Sequence, residues 1–338
     1  MTARIVWKTV FPLGKTVAPR QGDGIEHELC LGSIGMKKRR FLLSLLVAEN
    51  DYQQEQAATA QEAARRCGAE LEIVYAGNDA VTQGQQLLEF IQSPERRPDG
   101  ILCHPVGTPL AQVAREAASA GIAWAILNRE ADYIPDLRKS SSAPVFSVTV
   151  DQREIGQIQG RQFHALLPEG GLALYVMGPT SNPALQTRAA GLESAKPANV
   201  QLRTLPGRLT EQSGYDAVCS WLSLSTSRSS PVKLVAAQND NMAMGARRAF
   251  SEKMAGAERE RWAQLPYLGC DACPQTGRKW VQQGLLTASV VLPPAAGRAL
   301  ELMAKGLETS SQPPERTLLS PMPFPEIEQL GSTNGTSG

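Results

Sequence analysis

From Phe41 onward the chain alternates two textures. Short apolar runs of strand length recur: "FLLSLLVA", "AELEIVYA", "DGILCHPV", "IAWAILN", "VFSVTV", "LALYVMG", "NVQLRTLP", "KLVAAQ", "LPYLGC" and "TASVVLP". Most are separated by longer stretches of helical periodicity. In "PLAQVAREAASAG", Leu110, Val113, Ala114, Ala117 and Ala118 share one face, Gln112, Arg115 and Glu116 fall elsewhere, and Gly121 closes the helix.

Strands alternating with helices predict βαβ units and a parallel sheet. The near-continuous apolar character of the strands predicts helices on both faces of that sheet. Ten strands are many for one open twisted sheet, so the expected fold class is α/β with two doubly wound parallel-sheet lobes. The texture restarts near "VTVDQREIGQIQG", which marks the break between them. "SLSTSRSSP" (Ser223 to Pro231) reads as a surface loop and "GSTNGTSG" as a frayed tail, in which Asn334-Gly335-Thr336 matches a glycosylation acceptor by chance.

With two sheets, the residues that follow each strand acquire meaning, because doubly wound sheets bind ligands at the carboxyl ends of their strands. After the apolar runs come Glu49, Asn50, Asp51 and Tyr52; Asn128 and Arg129; Pro179, Thr180 and Ser181, with Arg188 in the next helix; Gln238, Asn239 and Asp240; and Asp271. The stretch "LVAAQNDNMAMGARRAF" is typical: an apolar strand ends in two amides and a carboxylate, and a small-residue helix follows. Amides, carboxylates and arginines on tips from both halves suit directional hydrogen bonding to hydroxyls.

Composition narrows the function classes. The 34 basic and 33 acidic residues leave a net charge of +1, which argues against a nucleic-acid surface. No apolar run reaches the length of a membrane span. "MKKRRFLLSLLVAEN" (Met36 to Asn50) imitates the start of a signal peptide, but the same residues are needed as the first strand, expected to be central in its sheet. The chain is therefore expected to be cytoplasmic, with the periplasm as the alternative.

Enzymatic signals are weak. Cys270 and Cys273 form a Cys-x-x-Cys around Asp271, followed by Pro274, late in the chain rather than at the helix start of a thioredoxin-like unit. No second pair offers the spacing of a zinc site, and the histidines, His27, His104 and His164, are far apart. His104 follows a strand and reads as a hydrogen-bonded loop residue, with a place on the cleft rim as the alternative. No nucleophile elbow, Walker A loop or Gly-x-Gly-x-x-Gly is present. No cofactor and no metal are expected, and a thiol oxidoreductase using Cys270 and Cys273 is the enzymatic alternative.

"NDNMAMGARRAF", "YLGCDACPQTGRKWVQQGLLTASV" and "TRAAGLESA" occur in this order and at family spacing. Through them the chain resembles the type I periplasmic binding proteins, in particular the sugar-binding cluster related to ribose-binding protein and to LacI-type effector domains, over roughly Lys37 to Leu330. The resemblance implies roles for seven residues. Asn50 and Tyr52 supply an amide and an aromatic ring for a sugar face; Asn128 and Arg129 stand where the family usually has Asp-Arg. Arg188 forks onto ring oxygens, Asn239 gives an amide while Asp240 mainly caps its helix, and Asp271 accepts from two hydroxyls. Two positions depart from the pattern. Gln53 stands where a second aromatic is frequent, and Leu292 where a Gln is frequent, which puts ribose itself in doubt.

The resemblance also implies a hinge of three crossings. Residues 37–149 with 289–312 are expected to form the N-terminal lobe, and 150–288 with 313–330 the C-terminal lobe. A poorly ordered extension is expected over 1–36 and a tail over 331–338. The expected function is non-enzymatic binding of a small polar ligand, a sugar or polyol, as the substrate-binding component of an ABC-type transporter docking on a permease. The alternative is a ligand sensor feeding a signalling protein. No nucleic-acid partner and no membrane insertion are expected. The expected state is a monomer, with a dimer as the alternative.

Overall fold

The computed structural model describes residues 38–107, 110–224 and 231–332. Along the chain the elements are β1 (Arg40–Leu45), α1 (Asp51–Arg66), β2 (Glu70–Tyr75), α2 (Ala80–Gln92), β3 (Gly100–Cys103), α3 (Ala111–Ser119), β4 (Ala123–Leu127), α4 (Ile134–Ser140) and β5 (Val145–Val150). Then come α5 (Gln152–Leu166), β6 (Gly171–Met177), α6 (Pro183–Ala195), β7 (Val200–Pro206), α7 (Glu211–Leu222), β8 (Val232–Ala237), α8 (Asp240–Lys253), α9 (Gly256–Gln264) and β9 (Tyr267–Leu268). The last elements are α10 (Gly277–Gln282), β10 (Ser289–Val291), α11 (Ala295–Thr309), β11 (Arg316–Leu319), β12 (Met322–Phe324) and α12 (Ile327–Ser332).

Two sheets of parallel strands result. The first runs β11-β5-β4-β3-β1-β2 and the second β7-β6-β8-β9, with β10 and β12 paired antiparallel beside the second. Each sheet is covered on both faces, as the unbroken apolar strands require. On one face of the first sheet, Leu43, Leu45 and Leu102 meet the alanine stripe of α1 and Leu300 and Met303 of α11. On the other, Ile101 and Trp124 meet Phe90, Val113 and Leu137 from α2, α3 and α4. In the second sheet, Leu174 and Val235 meet Trp221, Phe250 and Trp262 from α7, α8 and α9, while Tyr175 and Leu234 meet Phe163 and Leu192 from α5 and α6. Removing side chains of this size from water contributes about 1.5–3 kcal/mol each.

The chain passes between the sheets three times: from β5 into α5, from β10 into α11, and from β11 into β12. A small apolar cluster of Val150, Ile155, Ile158, Cys270, Val290 and Leu292 fills the space at these crossings. Their positions correct two expected boundaries. β11 lies within 313–330, assigned to the C-terminal lobe, yet it pairs in parallel with β5. β10 lies within 289–312, assigned to the N-terminal lobe, yet it pairs with β12, and Val291 bridges Asp271. β1 is interior but not central: it lies between β3 and β2, one strand from the edge. α12 extends past the expected start of the tail. The expectations for residues 1–36, Cys30, His27, most of the Ser-rich loop and Asn334 fall outside the described residues. No helix among the described residues is long and apolar enough to cross a membrane.

Candidate functional site: a polar cleft between two sheets

The carboxyl ends of both sheets open on one cavity of about 600 Å³, within the usual range for small-molecule sites. The loops after β1, β3 and β4 form one wall, and those after β6, β7, β8 and β9 the other. Amide, carboxylate and guanidinium groups dominate the lining. Among the described residues Tyr52 and His104 are its only rings, and Leu46, Val47, Ala184, Leu185, Leu209 and Leu292 are its aliphatic side chains.

On the first wall, Asn50 caps α1, accepting from the Gln53 backbone N–H at 3.1 Å. That cap sets the direction in which α1 leaves the strand, and so sends Tyr52 into the cleft. The Tyr52 hydroxyl donates to Asn128 Oδ1 at 3.2 Å and lies 3.4 Å from the Pro293 carbonyl. Burial pushes its phenol pKa up, and the Asp271 carboxylate adds to the effect. Asn128 sits at φ 58°, a left-handed conformation that asparagine tolerates better than most residues. Arg129 donates to the Gly107 carbonyl, holding the loop after β3 against the loop after β4. Gln53, which replaces the frequent second aromatic, is buried and accepts from the Leu46 N–H at 3.1 Å.

On the second wall, Arg188 is 5% exposed and committed to the protein. Its Nε and Nη2 reach Gln152 Oε1 at 3.2 and 2.8 Å, and its Nη1 reaches the Gln238 carbonyl at 2.6 Å and Cys270 Sγ at 3.4 Å. Gln238 accepts from the Gly178 N–H at 2.9 Å and donates to the Leu185 carbonyl at 2.9 Å. The capping roles at the next two positions are exchanged relative to the expectation. Asn239 is the cap of α8, accepting from the Met242 N–H at 2.9 Å and donating to the Leu209 carbonyl at 2.8 Å. Asp240 is instead buried, accepting from the Ala272 N–H at 2.7 Å and from the Ser289 hydroxyl at 2.6 Å. Burial holds its carboxyl well above the usual range, reinforced by Asp271. An amide has two donor hydrogens and two acceptor lone pairs, so Asn239 keeps one of each uncommitted.

Asp271 and Ala272 take φ 111° and 44°, in the left-handed region that non-glycine residues seldom enter. The turn aims the Asp271 carboxylate at the cavity while its backbone stays bonded to Val290 and Leu292. Burial raises its pKa to about 7; Arg188 acts in the opposite sense, and Asp51 across the cleft adds to the rise. Burial likewise pushes the Cys270 and Cys273 thiols up. Among the described residues, no group of three or more His, Cys, Asp or Glu side chains is gathered closely enough to hold a metal ion.

Asn50, Tyr52, Asn128, Arg129, Arg188, Asn239 and Asp271, the seven residues singled out in the sequence, all line this one cavity. Gln152, Asn182 and Arg208 line it as well and were not singled out, and so does His104, which was expected to be a loop residue. Each lies within a few residues of a strand end, so the tip rule applied to every strand reaches them. Thr180 and Ser181, which that rule selects, are exposed and do not line the cavity.

The family model described as "Periplasmic binding protein domain" matches residues 41–307. The chain belongs to this family. The periplasmic binding protein fold is also seen in solved structures. An ABC transporter periplasmic solute-binding protein from Actinobacillus succinogenes with bound D-allose superposes with a TM-score of 0.73 at 18% identity, over 87% of this chain and 100% of that one. A solute-binding protein from Bacillus halodurans with bound myo-inositol gives 0.68 at 20% identity, over 89% and 98%. These two likenesses are of fold. A protein of Rhizobium meliloti named as rhizopine-binding is 33% identical over 191 residues, which cover 54% of this chain and 58% of that protein. The chain thus matches less than two thirds of that relative's length.

Family membership corrects the expected location. A family of periplasmic binding proteins overturns the cytoplasmic reading. The premise behind that reading holds, since β1 is a buried strand flanked on both sides, but it concerns only whether these residues are kept. It carries no information about compartment.

Proposed function

We propose that this periplasmic binding protein is the solute-binding component of an ABC-type transporter, that it is not an enzyme, and that its ligand is a sugar or polyol. One observation carries the reading: a cavity of about 600 Å³ joins the carboxyl ends of two sheets and is walled by amides, carboxylates and guanidiniums around a single tyrosine. Neutral, many-hydroxyl solutes need this mixture, because each hydroxyl both donates and accepts. In this reading Tyr52 covers an apolar ring face, Asp271 accepts from hydroxyls, and Asn50, Asn128, Arg129, Arg188 and Asn239 complete the polar shell. The ligands bound in the two solved structures, D-allose and myo-inositol, belong to the same class. The ligand bridges the two walls, and the three crossings bend as hinges to close on it. The closed form docks on a membrane permease. Buried thiols with raised pKa values are poor nucleophiles, which supports binding over redox chemistry.

Calorimetric titration with aldoses, ketoses and inositols tests this, after a thermal-shift screen. A ligand at about 100 times its dissociation constant adds about 2.7 kcal/mol of stability. Saturable one-to-one binding of a sugar or polyol is expected. A flat response to the whole panel, with binding of an amino acid or a hydrophobic solute instead, overturns the reading.

A further inference from the structure

His104 follows β3 and lines the cavity. Its Nδ1 is held between two side-chain amides, 3.1 Å from Gln53 Nε2 and 3.5 Å from Asn128 Nδ2. The direction of these bonds is set by the backbone. The Leu46 N–H can only donate, and it points at Gln53 Oε1 at 3.1 Å. The other end of that amide, facing His104, is therefore the NH2 group, and Nδ1 must accept from it. Asn128 fits the same sense, with its Oδ1 taking the Tyr52 hydroxyl at 3.2 Å and its NH2 turned toward the imidazole. A neutral imidazole that accepts at Nδ1 carries its proton on Nε2.

Three further observations show that this ring is set for a purpose beyond its loop. Nε2 has no hydrogen-bond partner among the described residues, and the half-buried His104 lines the cavity. The backbone beneath the ring is clamped: Gln83 donates to the His104 carbonyl at 2.9 Å and to Ser44 Oγ at 2.9 Å, and accepts from the Val106 N–H at 2.8 Å. Burial, with the charge of Arg129 beside it, holds the imidazole pKa down to about 3, so the ring stays neutral through the physiological range. Positioning of this kind lowers the ordering cost of binding.

We infer that His104 is a ligand-binding residue whose Nε2–H is a fixed donor, reading a lone pair of a ligand oxygen. The inference rests on the proposed sugar or polyol ligand and specifies one contact within it. The ligand atom met there is an ether oxygen, a ring oxygen or a hydroxyl acting as acceptor. An ammonium is refused at this point, since the neighbouring Arg129 guanidinium is also a donor. The opposite wall carries the complementary group, the Asp271 carboxylate, which only accepts when ionised.

The test has a ligand-free arm and a ligand arm. In long-range nitrogen–proton correlation spectra of the full chain, the His104 signals are those missing from His104→Gln. Protonated-type Nε2 and unprotonated-type Nδ1 shifts, unmoved from pH 5.5 to 8, are expected; the reverse pattern, or titration in that window, overturns the inference. In the second arm, myo-inositol and D-allose are titrated calorimetrically into the wild type, His104→Asn and His104→Gln. Asparagine keeps an acceptor for Gln53 and removes the cavity donor, whereas glutamine can place an N–H where Nε2 was. A loss of about 3- to 10-fold in His104→Asn, with His104→Gln within about twofold of wild type, is expected for one neutral hydrogen bond. Equal affinity in all three proteins overturns the contact while leaving the ligand class standing. If the wild type binds neither these two solutes nor any other member of the panel, the ligand class and the contact fall together, and the first arm still decides the tautomer.

Discussion

Arg188 Nη1 donates to the backbone carbonyl of Gln238 at 2.6 Å, so a guanidinium carried by α6 is fastened to the tip of β8. With Gln152 on α5 and the Cys270 sulfur as further partners, four of its five N–H donors are accounted for inside the protein. Arginine in this position is a fastening before it is a ligand contact. It keeps the loops after β8 and β9 and the start of α5 at fixed separation, and it leaves one N–H for the cavity.

Arg188→Ala is therefore expected to lower stability as well as ligand affinity. It strands the Gln238 carbonyl and Gln152 Oε1, and hydrogen bonds to charged groups are worth about 1.5–3 kcal/mol each. Denaturant midpoints and calorimetric titration measured on the same variant check this. An unchanged midpoint with lost affinity would show that Arg188 serves the ligand alone.

The placement of Arg188 depends on two glycines. A Cβ at Gly156 on α5 would lie 1.9 Å from the Arg188 carbonyl, and one at Gly191 on α6 would lie 2.1 Å from the Arg153 carbonyl. The helices therefore touch backbone to backbone, which brings Gln152 within reach of the guanidinium. Gly156→Ala and Gly191→Ala each push the helices apart. Overpacking costs about 1–3 kcal/mol, and the gain in helix propensity is at most about 1 kcal/mol. A lower denaturation midpoint and a weaker ligand are expected for each. A raised midpoint in either would mean that the helices slide without cost.

The strands and the cleft were legible because their signals are local. Each of the ten apolar runs contains a strand, and six of the seven named residues stand just after a strand or at the start of the next helix, while Arg188 is the sixth residue of α6. What was not legible depends on partners distant in sequence. β11 reads "RTLL" with alternate residues exposed, and becomes a strand only because β5 lies beside it. β12, "MPF", is three residues with a proline and pairs antiparallel with β10. The exchange between Asn239 and Asp240 has a similar origin: either side chain suits a cap, and the partners that draw Asp240 away, Ala272 and Ser289, are 32 and 49 residues downstream. His104 was read as a loop residue because its amide partners, Gln53 and Asn128, come from other strand tips.

The Cys-x-x-Cys around Asp271 is expected to be chemically quiet. Cys270 and Cys273 are buried, and burial pushes both thiols up, whereas a reactive cysteine needs thiolate character and access. Brief alkylation of the native protein, read by peptide mass spectrometry, should label the exposed Cys67 first among the described cysteines and leave this pair unlabelled. The double variant Cys270→Ser with Cys273→Ser should keep ligand affinity within a few fold. Rapid labelling of Cys270 or Cys273, or a disulfide between them that cycles with a reductant, would return the oxidoreductase reading.

Asp271 gives the cleft a pH dependence whose sign is fixed. Its folded pKa of about 7 lies above the ordinary carboxyl value of 3.8, so the native state holds a proton that the unfolded chain has released. Where the native state binds more protons, stability falls as pH rises. The loss starts near the unfolded value and is complete above about pH 7, and at about 1.36 kcal/mol per pKa unit it reaches at most about 4 kcal/mol. Asp271→Asn cannot ionise, so its stability should fall less between pH 4 and 7 than that of the wild type. Asp240, raised in the same direction, keeps a residual slope in both proteins. Ligand affinity should move the other way. A carboxylate that accepts from ligand hydroxyls does so when ionised, so binding should tighten from pH 6 to 8 in the wild type and stay flat in Asp271→Asn. Thermal unfolding across that range, with and without a saturating sugar or polyol, separates the two trends. Parallel pH profiles for the two proteins would show that Asp271 remains ionised throughout and is not the titrating group.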